Sequence, residues 1–212
     1  EDVIRFTELT HDGRAERLRN TNSMEGETIL QELKDLVDAE TGISVGVITP
    51  FREQQQYLSK LLFNDAYGAR FETDLKLKVM TFDTCQGEER DLIVYSMVAT
   101  GTKDLLNYIF PVDLSVNADP DKVEESLKYQ RLNVGFSRAK ETIWFVLSKP
   151  VGEFHGSIGR VLSHYRTLLE DKTQADPEDT DPTSPMEAKV LDWVWISSRR
   201  SASSRNKGTC SS

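Results

Sequence analysis

Short β-branched runs alternate with stretches of helical period along most of this chain, and that alternation leaves few folds open. Ser44–Thr49 (SVGVIT), Leu92–Val98 (LIVYSMV) and Thr142–Leu147 (TIWFVL) are continuous apolar runs bounded by polar turns. That is the pattern of strands buried on both faces. Val3–Leu9 (VIRFTEL) and Leu75–Phe82 (LKLKVMTF) read as two further strands. A helix starts at Asn22 or Ser23, either of which can cap it, with Glu25 three residues after Asn22. Ile29, Leu30, Leu33, Leu36 and Val37 then recur at helical spacing, and Gly42 stops the run. Pro50 leads into a second helix over Arg52–Phe63, with Tyr57, Leu58, Leu61 and Leu62 inward. Two more are expected over Lys122–Lys140 and Ile158–Leu169. Strands alternating with helices predict an α/β fold, a parallel sheet with helices on both faces. Such crossovers put functional loops at the carboxyl ends of strands.

The chain has 212 residues, 38% hydrophobic and 29% charged, enough for one sizeable core and a tail. The expected organisation is a domain over 1–170, an acidic, Pro-rich linker over 171–185 (DKTQADPEDTDPTSP) and a tail over 186–212. Within the tail, Pro185–Trp195 has the composition to open another helix. No apolar run approaches the ~20 residues that span a bilayer, so no membrane contact and a cytoplasmic location are expected. Cys85 and Cys210 make neither a disulfide framework nor a zinc site, and suit a reducing compartment. His11, His155 and His164 have no metal-ligand spacing, and no metal site is expected. A net charge of −9 argues against general attraction to nucleic acid. Strand binding would have to come from a local groove.

Three stretches carry chemistry, each where a strand meets a loop or helix. Val47-Ile-Thr-Pro-Phe-Arg-Glu-Gln54 follows a buried strand, and Thr81-Phe-Asp-Thr-Cys-Gln-Gly-Glu-Glu-Arg-Asp91 joins two strands. Arg131-Leu-Asn-Val-Gly-Phe-Ser-Arg-Ala-Lys140 lies late in a predicted helix. On that helix Arg131, Gly135 and Arg138 share one face, with Leu132, Phe136 and Ala139 on the adjacent one. Two guanidiniums flanking a glycine would then let a phosphoryl group come close. The plainer reading is a solvated Arg-rich face. In the second stretch Gly87 lets backbone approach a ligand, and Glu89 or Glu88 can accept from sugar hydroxyls. Equally, Gly87 is simply a turn residue with positive φ, and the acids face water. Thr49 and Thr81 end strands and can offer a hydroxyl and a nearby N–H to phosphates; they are also ordinary β-formers.

Taken together, these stretches resemble superfamily 1 helicases, in the branch containing the nonsense-mediated-decay helicase and its bacterial relatives. ITPFREQ resembles that family's motif IV, TFDTCQGEERD its motif V, and RLNVGFSRAK its motif VI. Asn22-Ser-Met-Glu25 fits the N-x-x-E-A element that precedes motif IV in this branch. The resemblance covers roughly residues 1–150 and implies a RecA-like domain of P-loop-NTPase type, the second motor domain, without a P-loop of its own. By the same resemblance Arg138 is the catalytic arginine finger that reaches the γ-phosphate of ATP. Gln86, Gly87, Glu89 and Arg131 complete the nucleotide-binding set, and Thr49, Pro50 and Thr81 track single-stranded nucleic acid. Cys85, Phe136 and Ser137 depart from the family's usual residues at their positions.

No G-x-x-x-x-G-K-[ST] occurs, nor an acidic D-E-x-x motif for magnesium. ATP with Mg2+ is therefore expected to be held mainly by a first RecA-like domain of the same polypeptide, and this fragment alone to be inactive. The expected second partner is single-stranded nucleic acid, DNA ahead of RNA. A rival reading from another class is a non-catalytic interaction module descended from a helicase half. A nuclease reading rests only on Ser184-Pro-Met-Glu-Ala-Lys189, whose Glu187 and Lys189 lack a paired aspartate.

Overall fold

A computed structural model of the chain describes residues 3–14, 16–112 and 123–174, which form a five-stranded sheet covered by helices. The elements are β1 (Ile4–Glu8), α1 (Ser23–Asp38), β2 (Val45–Thr49), α2 (Arg52–Phe63), α3 (Gly68–Thr73), β3 (Lys78–Thr81), β4 (Arg90–Thr100), α4 (Val123–Gly135), β5 (Ala139–Ser148) and α5 (Gly156–Gln174). The strand order is β1-β5-β4-β2-β3 and every pairing is parallel. The α/β expectation of a RecA-like parallel sheet wrapped on both faces holds.

Because all strands point one way, Glu8, Thr49, Thr81, Thr100 and Ser148 end on one edge of the sheet. The burial pattern explains the sequence of the middle strands. Val45, Val47, Leu92, Val94, Trp144 and Val146 pack under α1, α2 and α3, against Ile29, Leu33, Leu58, Leu62 and Phe71. Ile48, Ile93, Tyr95, Phe145 and Leu147 face the other way, against Phe82, Phe136 and the α5 residues Ile158, Leu162 and Tyr165. With both faces covered, a strand needs apolar residues at every position, so these runs do not alternate. Full burial of each large aliphatic side chain contributes roughly 1.5–3 kcal/mol.

Boundaries differ from expectation in instructive places. β3 begins only at Lys78, since Lys76 takes φ +46 and breaks the run. The six-residue α3 carries too few periodic positions to show in the sequence. α4 stops at Gly135 where a helix to Lys140 was expected, and β5 already starts at Ala139. Gly135 is itself the last helical residue and takes no left-handed φ, so it is not a glycine cap of the kind that the sequence pattern puts at Gly42 after α1. α5 continues to Gln174, past the expected domain boundary after residue 170. The remainder of the 171–185 linker, the 186–212 tail, the Pro185–Trp195 helix and the Glu187–Lys189 fragment lie outside the described residues.

A buried polar knot fastens the strand-end edge. Asn22 caps α1, its Oδ1 accepting from Glu25 N at 3.1 Å. Glu25, three residues after the cap, does not return to accept from the Asn22 N–H. Its fully buried carboxylate turns to the sheet, accepting from Val98 N at 2.9 and 3.1 Å, Ser96 Oγ at 2.7 Å and Ser148 Oγ at 3.0 Å. The cap's own N–H donates instead to Gln54 Oε1 at 2.8 Å, and Gln54 Nε2 donates to Ser96 Oγ at 3.0 Å. Val98 sits at φ +67, inside a register irregularity of β4. A β-branched residue in that region costs of order 1–3 kcal/mol, and the two Glu25 oxygens hold it there.

Burial raises the Glu25 carboxyl from 4.5 to about 7, although the hydrogen bonds from Ser96, Val98 and Ser148 pull the other way. The folded state thus holds its proton more tightly than the unfolded chain. That contribution is complete below about pH 4.5 and is lost as pH rises through about 7, worth up to about 3 kcal/mol. Urea midpoints taken from pH 4.5 to 7.5 should show this decline in the native chain, and Glu25→Gln should flatten it.

Candidate nucleotide and nucleic-acid site

The sheet separates the predicted site residues onto two edges. Thr49, Pro50 and Thr81 lie where β2 and β3 end, whereas Gly87, Glu89 and Arg138 lie where β4 and β5 begin. The expectation that all functional loops gather at the carboxyl ends is therefore corrected. It holds for the proposed strand track and not for the proposed nucleotide set. The reason is the short β3–β4 connection, Phe82–Glu89, which starts at one edge, crosses β2 on the α4–α5 face and finishes at the other.

At the β4–β5 opening, Arg90 N donates to the Arg138 carbonyl at 3.2 Å, a main-chain bond that sets the start of β4, three residues past Gly87, beside the backbone of Arg138. Gly87 takes φ +77 and has open space where a side chain would project. It is therefore both a turn residue and an open point of backbone approach. Gln86, Gly87 and Glu89 are exposed. The choice left between Glu88 and Glu89 narrows here. Glu88 is bound to Lys78 and Arg90, and the Lys78 bond holds its carboxyl below the usual range. The Glu89 carboxylate has no ion-pair partner among the described residues.

Arg138 is not on a helix face. With α4 closed at Gly135, it occupies the turn before β5, and its guanidinium folds back to cap the helix: Nε donates to the Val134 carbonyl at 2.7 Å and Nη2 to Ser137 Oγ at 3.1 Å. A cation there complements the partial negative charge of a helix C-terminus. Its charge also reaches the buried Cys85 thiol, partly opposing the upward shift that burial imposes. Gly135 is not the gap between two guanidiniums that helical spacing suggested. A Cβ at Gly135 would lie 2.1 Å from the Phe82 ring, so the missing side chain makes room for the crossing loop. Tyr95 Oη donates to the Gly135 carbonyl at 2.8 Å and fixes the same junction.

Arg131 stands one helical turn back, with its Nε 2.5 Å from Asp83 Oδ1. Together with Gln86, Gln130 and Leu127 this pair lines a cleft of about 180 Å³ between the crossing loop and α4. Arg131 and Gln86 are thus brought together, and Asp83 is a partner that spacing gave no reason to single out.

At the other edge the three predicted strand contacts are buried. Thr49 is fully enclosed with its hydroxyl unpartnered, and Pro50 lies under the start of α2. The Thr81 N–H donates to Thr84 Oγ1 at 3.0 Å, and the two hydroxyls lie 3.2 Å apart. The side chains at these positions shape the edge from beneath, and the exposed groups come from the loops above it.

A family model described as "AAA domain" matches residues 3–149. The chain belongs to that family. It is also similar to the helicase SEN1 of Saccharomyces cerevisiae, 27% identical over 133 residues. That stretch is 62% of this chain and 4% of the yeast protein, so the chain spans a small part of that relative's length. The family match covers all five strands and stops just after Ser148, leaving α5 beyond it. No helix among the described residues is long and apolar enough to cross a membrane.

Gly135→Ala tests the packing found at the α4–β5 junction. The clash with Phe82 should destabilise the chain by about 1–3 kcal/mol in urea unfolding. A glycine serving only as open space for a ligand would tolerate alanine at no cost in stability.

Proposed function

We propose that this domain is the second motor domain of an ATP-dependent superfamily 1 helicase, of the branch containing the nonsense-mediated-decay helicase. The family match and the likeness to a helicase support a helicase-type module. The observation that carries the finer reading is the union of Arg138 with the open Gly87 turn and the free Glu89 carboxylate at one edge. A first RecA-like domain of the same polypeptide would hold ATP with Mg2+ on its P-loop. This edge would close over the triphosphate.

Each residue has a defined task in that reading. Arg138 brings a permanent positive charge to the turn before β5, where it stabilises charge developing on the transferred phosphoryl group. Gly87 allows close backbone approach, and Glu89 accepts from a ribose hydroxyl. Gln86 and Arg131 support the phosphate side from the cleft they share. At the opposite edge, Thr49, Pro50 and Thr81 set the backbone over which single-stranded nucleic acid runs. Closure and reopening of the two domains then move that edge along the strand. The same residues explain why the isolated domain would be inactive: none of them replaces a P-loop.

Arg138→Ala, made in the polypeptide that joins this domain to its P-loop partner, should lower strand-stimulated ATP hydrolysis by about 1,000-fold or more. Single-strand affinity should stay within a few-fold of the parent. Unchanged turnover would overturn the finger assignment and favour a non-catalytic interaction module.

A further inference from the structure

The loop between β1 and α1 carries three arginines in six residues, Arg14, Arg17 and Arg19, on a chain whose net charge is −9. All three are exposed. An arginine run is often only a solvated surface, but this one is sorted by charge. The acid within it, Glu16, is turned inward, where its oxygens accept from Ser23 N at 2.7 Å and Ser23 Oγ at 2.8 Å and meet His11 Nε2 at 2.8 Å. Arg14 makes a loose pair with Asp12 at 3.6 Å while 80% exposed, a contact worth little. Arg17 and Arg19 have no acidic partner among the described residues.

The fold fixes where these charges point. The loop leaves the carboxyl end of β1, and Asn22 at its far end bonds to Ser148 of β5 and the Val98 carbonyl of β4. It therefore runs along the edge on which β2 and β4 also end. Thr100 and Thr102 hydroxyls donate to the Asp12 carbonyl, and Asn20 Nδ2 donates to Glu53 at the start of α2. Two more exposed cations emerge from the loops so joined, Arg52 after β2 and Lys103 after β4. Gly13, Asn20, Thr21, Phe51 and Lys103 line one small cleft between them, and the buried Asn20 Oδ1 there has no partner.

We propose that Arg14, Arg17 and Arg19, with Arg52 and Lys103, form a phosphate-binding surface for a single nucleic-acid strand. The inference rests on the helicase reading above and deepens it. The predicted threonine contacts are buried beneath this edge, and the exposed arginines above it meet the phosphodiester backbone. Guanidiniums suit this task because they stay charged at any pH and fork onto phosphate oxygens. Contact is with the backbone, so DNA and RNA strands are equivalent to it.

The test uses the whole chain and two fluorescein-labelled strands, oligothymidylate and oligouridylate, each longer than about 16 nucleotides. Binding is followed by fluorescence anisotropy across a KCl series. Each phosphate contact on a single strand contributes about 0.7 to the slope of log affinity against log salt. The triple variant Arg14→Gln/Arg17→Gln/Arg19→Gln should therefore lose about 2 units of slope on both polymers. Lys60→Gln/Lys76→Gln, altering exposed lysines where α2 ends and before β3 begins, should keep the parent slope. Matching thermal melts will show that both variants are folded. A parent-like slope in the triple variant, an equal loss per charge in the lysine pair, or a loss confined to one polymer overturns the proposal. In each of those cases the parent still binds and the helicase reading stands. A parent chain that shows no salt-dependent binding to either strand sinks both.

Discussion

A single carboxyl group without solvent contact organises the strand-end edge of this domain. Glu25 reaches from α1 to the ends of β4 and β5, while its neighbours Asn22 and Gln54 bring in the start of α2. Removing a charged or polar group from water costs several kcal/mol unless each lone pair finds a donor. Here the donors are a serine on each of two strands and the N–H of a residue whose own backbone is strained. The knot therefore stands only if helix, sheet and bulge are all in place. That makes the edge an all-or-none unit in place of a collection of loops. The arginine-bearing loop is fastened to it at Asn22.

Much of this was legible in the chain, because burial on both faces writes itself into composition. The β2 and β4 runs and the inward residues of α1 and α2 follow directly from period and β-branching. The Asn22 cap was also readable, since a cap is a local hydrogen bond. What escaped is whatever depends on a partner far along the sequence. Glu25 looked like half of a capping box because spacing knows nothing of Val98, which lies 73 residues on. Gly135 looked like an opening for a ligand because its real neighbour, Phe82, belongs to another loop. The helix face drawn through Arg131, Gly135 and Arg138 failed for the same reason. Ala139 and Lys140 are good helix formers, and the pairing of Arg90 with Ala139 in the sheet overrides that preference.

The candidate site residues were chosen from the sequence, and their arrangement was not legible there. Sequence order cannot tell that Thr81 and Gly87 finish on opposite edges of one sheet, because the turn between them gives no sign of its direction. The structure also separates the members of each candidate group by exposure and pairing. Glu89 is left free where Glu88 is consumed by Lys78, and the exposed cations sit on the β1–α1 loop while the threonines lie enclosed below. An overall negative charge is compatible with this, since charge acts within about 10 Å in ordinary salt and local sorting decides the field at the edge.

The helix-free connection from Phe82 to Glu89 has a mechanical meaning. Parallel strands are usually joined by a dozen residues or more, wound into a helix that can slide or tilt. This link is shorter and folded into two turns, closed by the Cys85 N–H on the Thr81 carbonyl and the Glu88 N–H on the Cys85 carbonyl, each at 3.1 Å, and it is fastened at its first residue by the Phe82 ring among Tyr95, Phe110 and Phe136. A displacement imposed at the Gly87 end can reach Thr81 only by opening those turns or by shifting the Phe82 ring within its aromatic cluster.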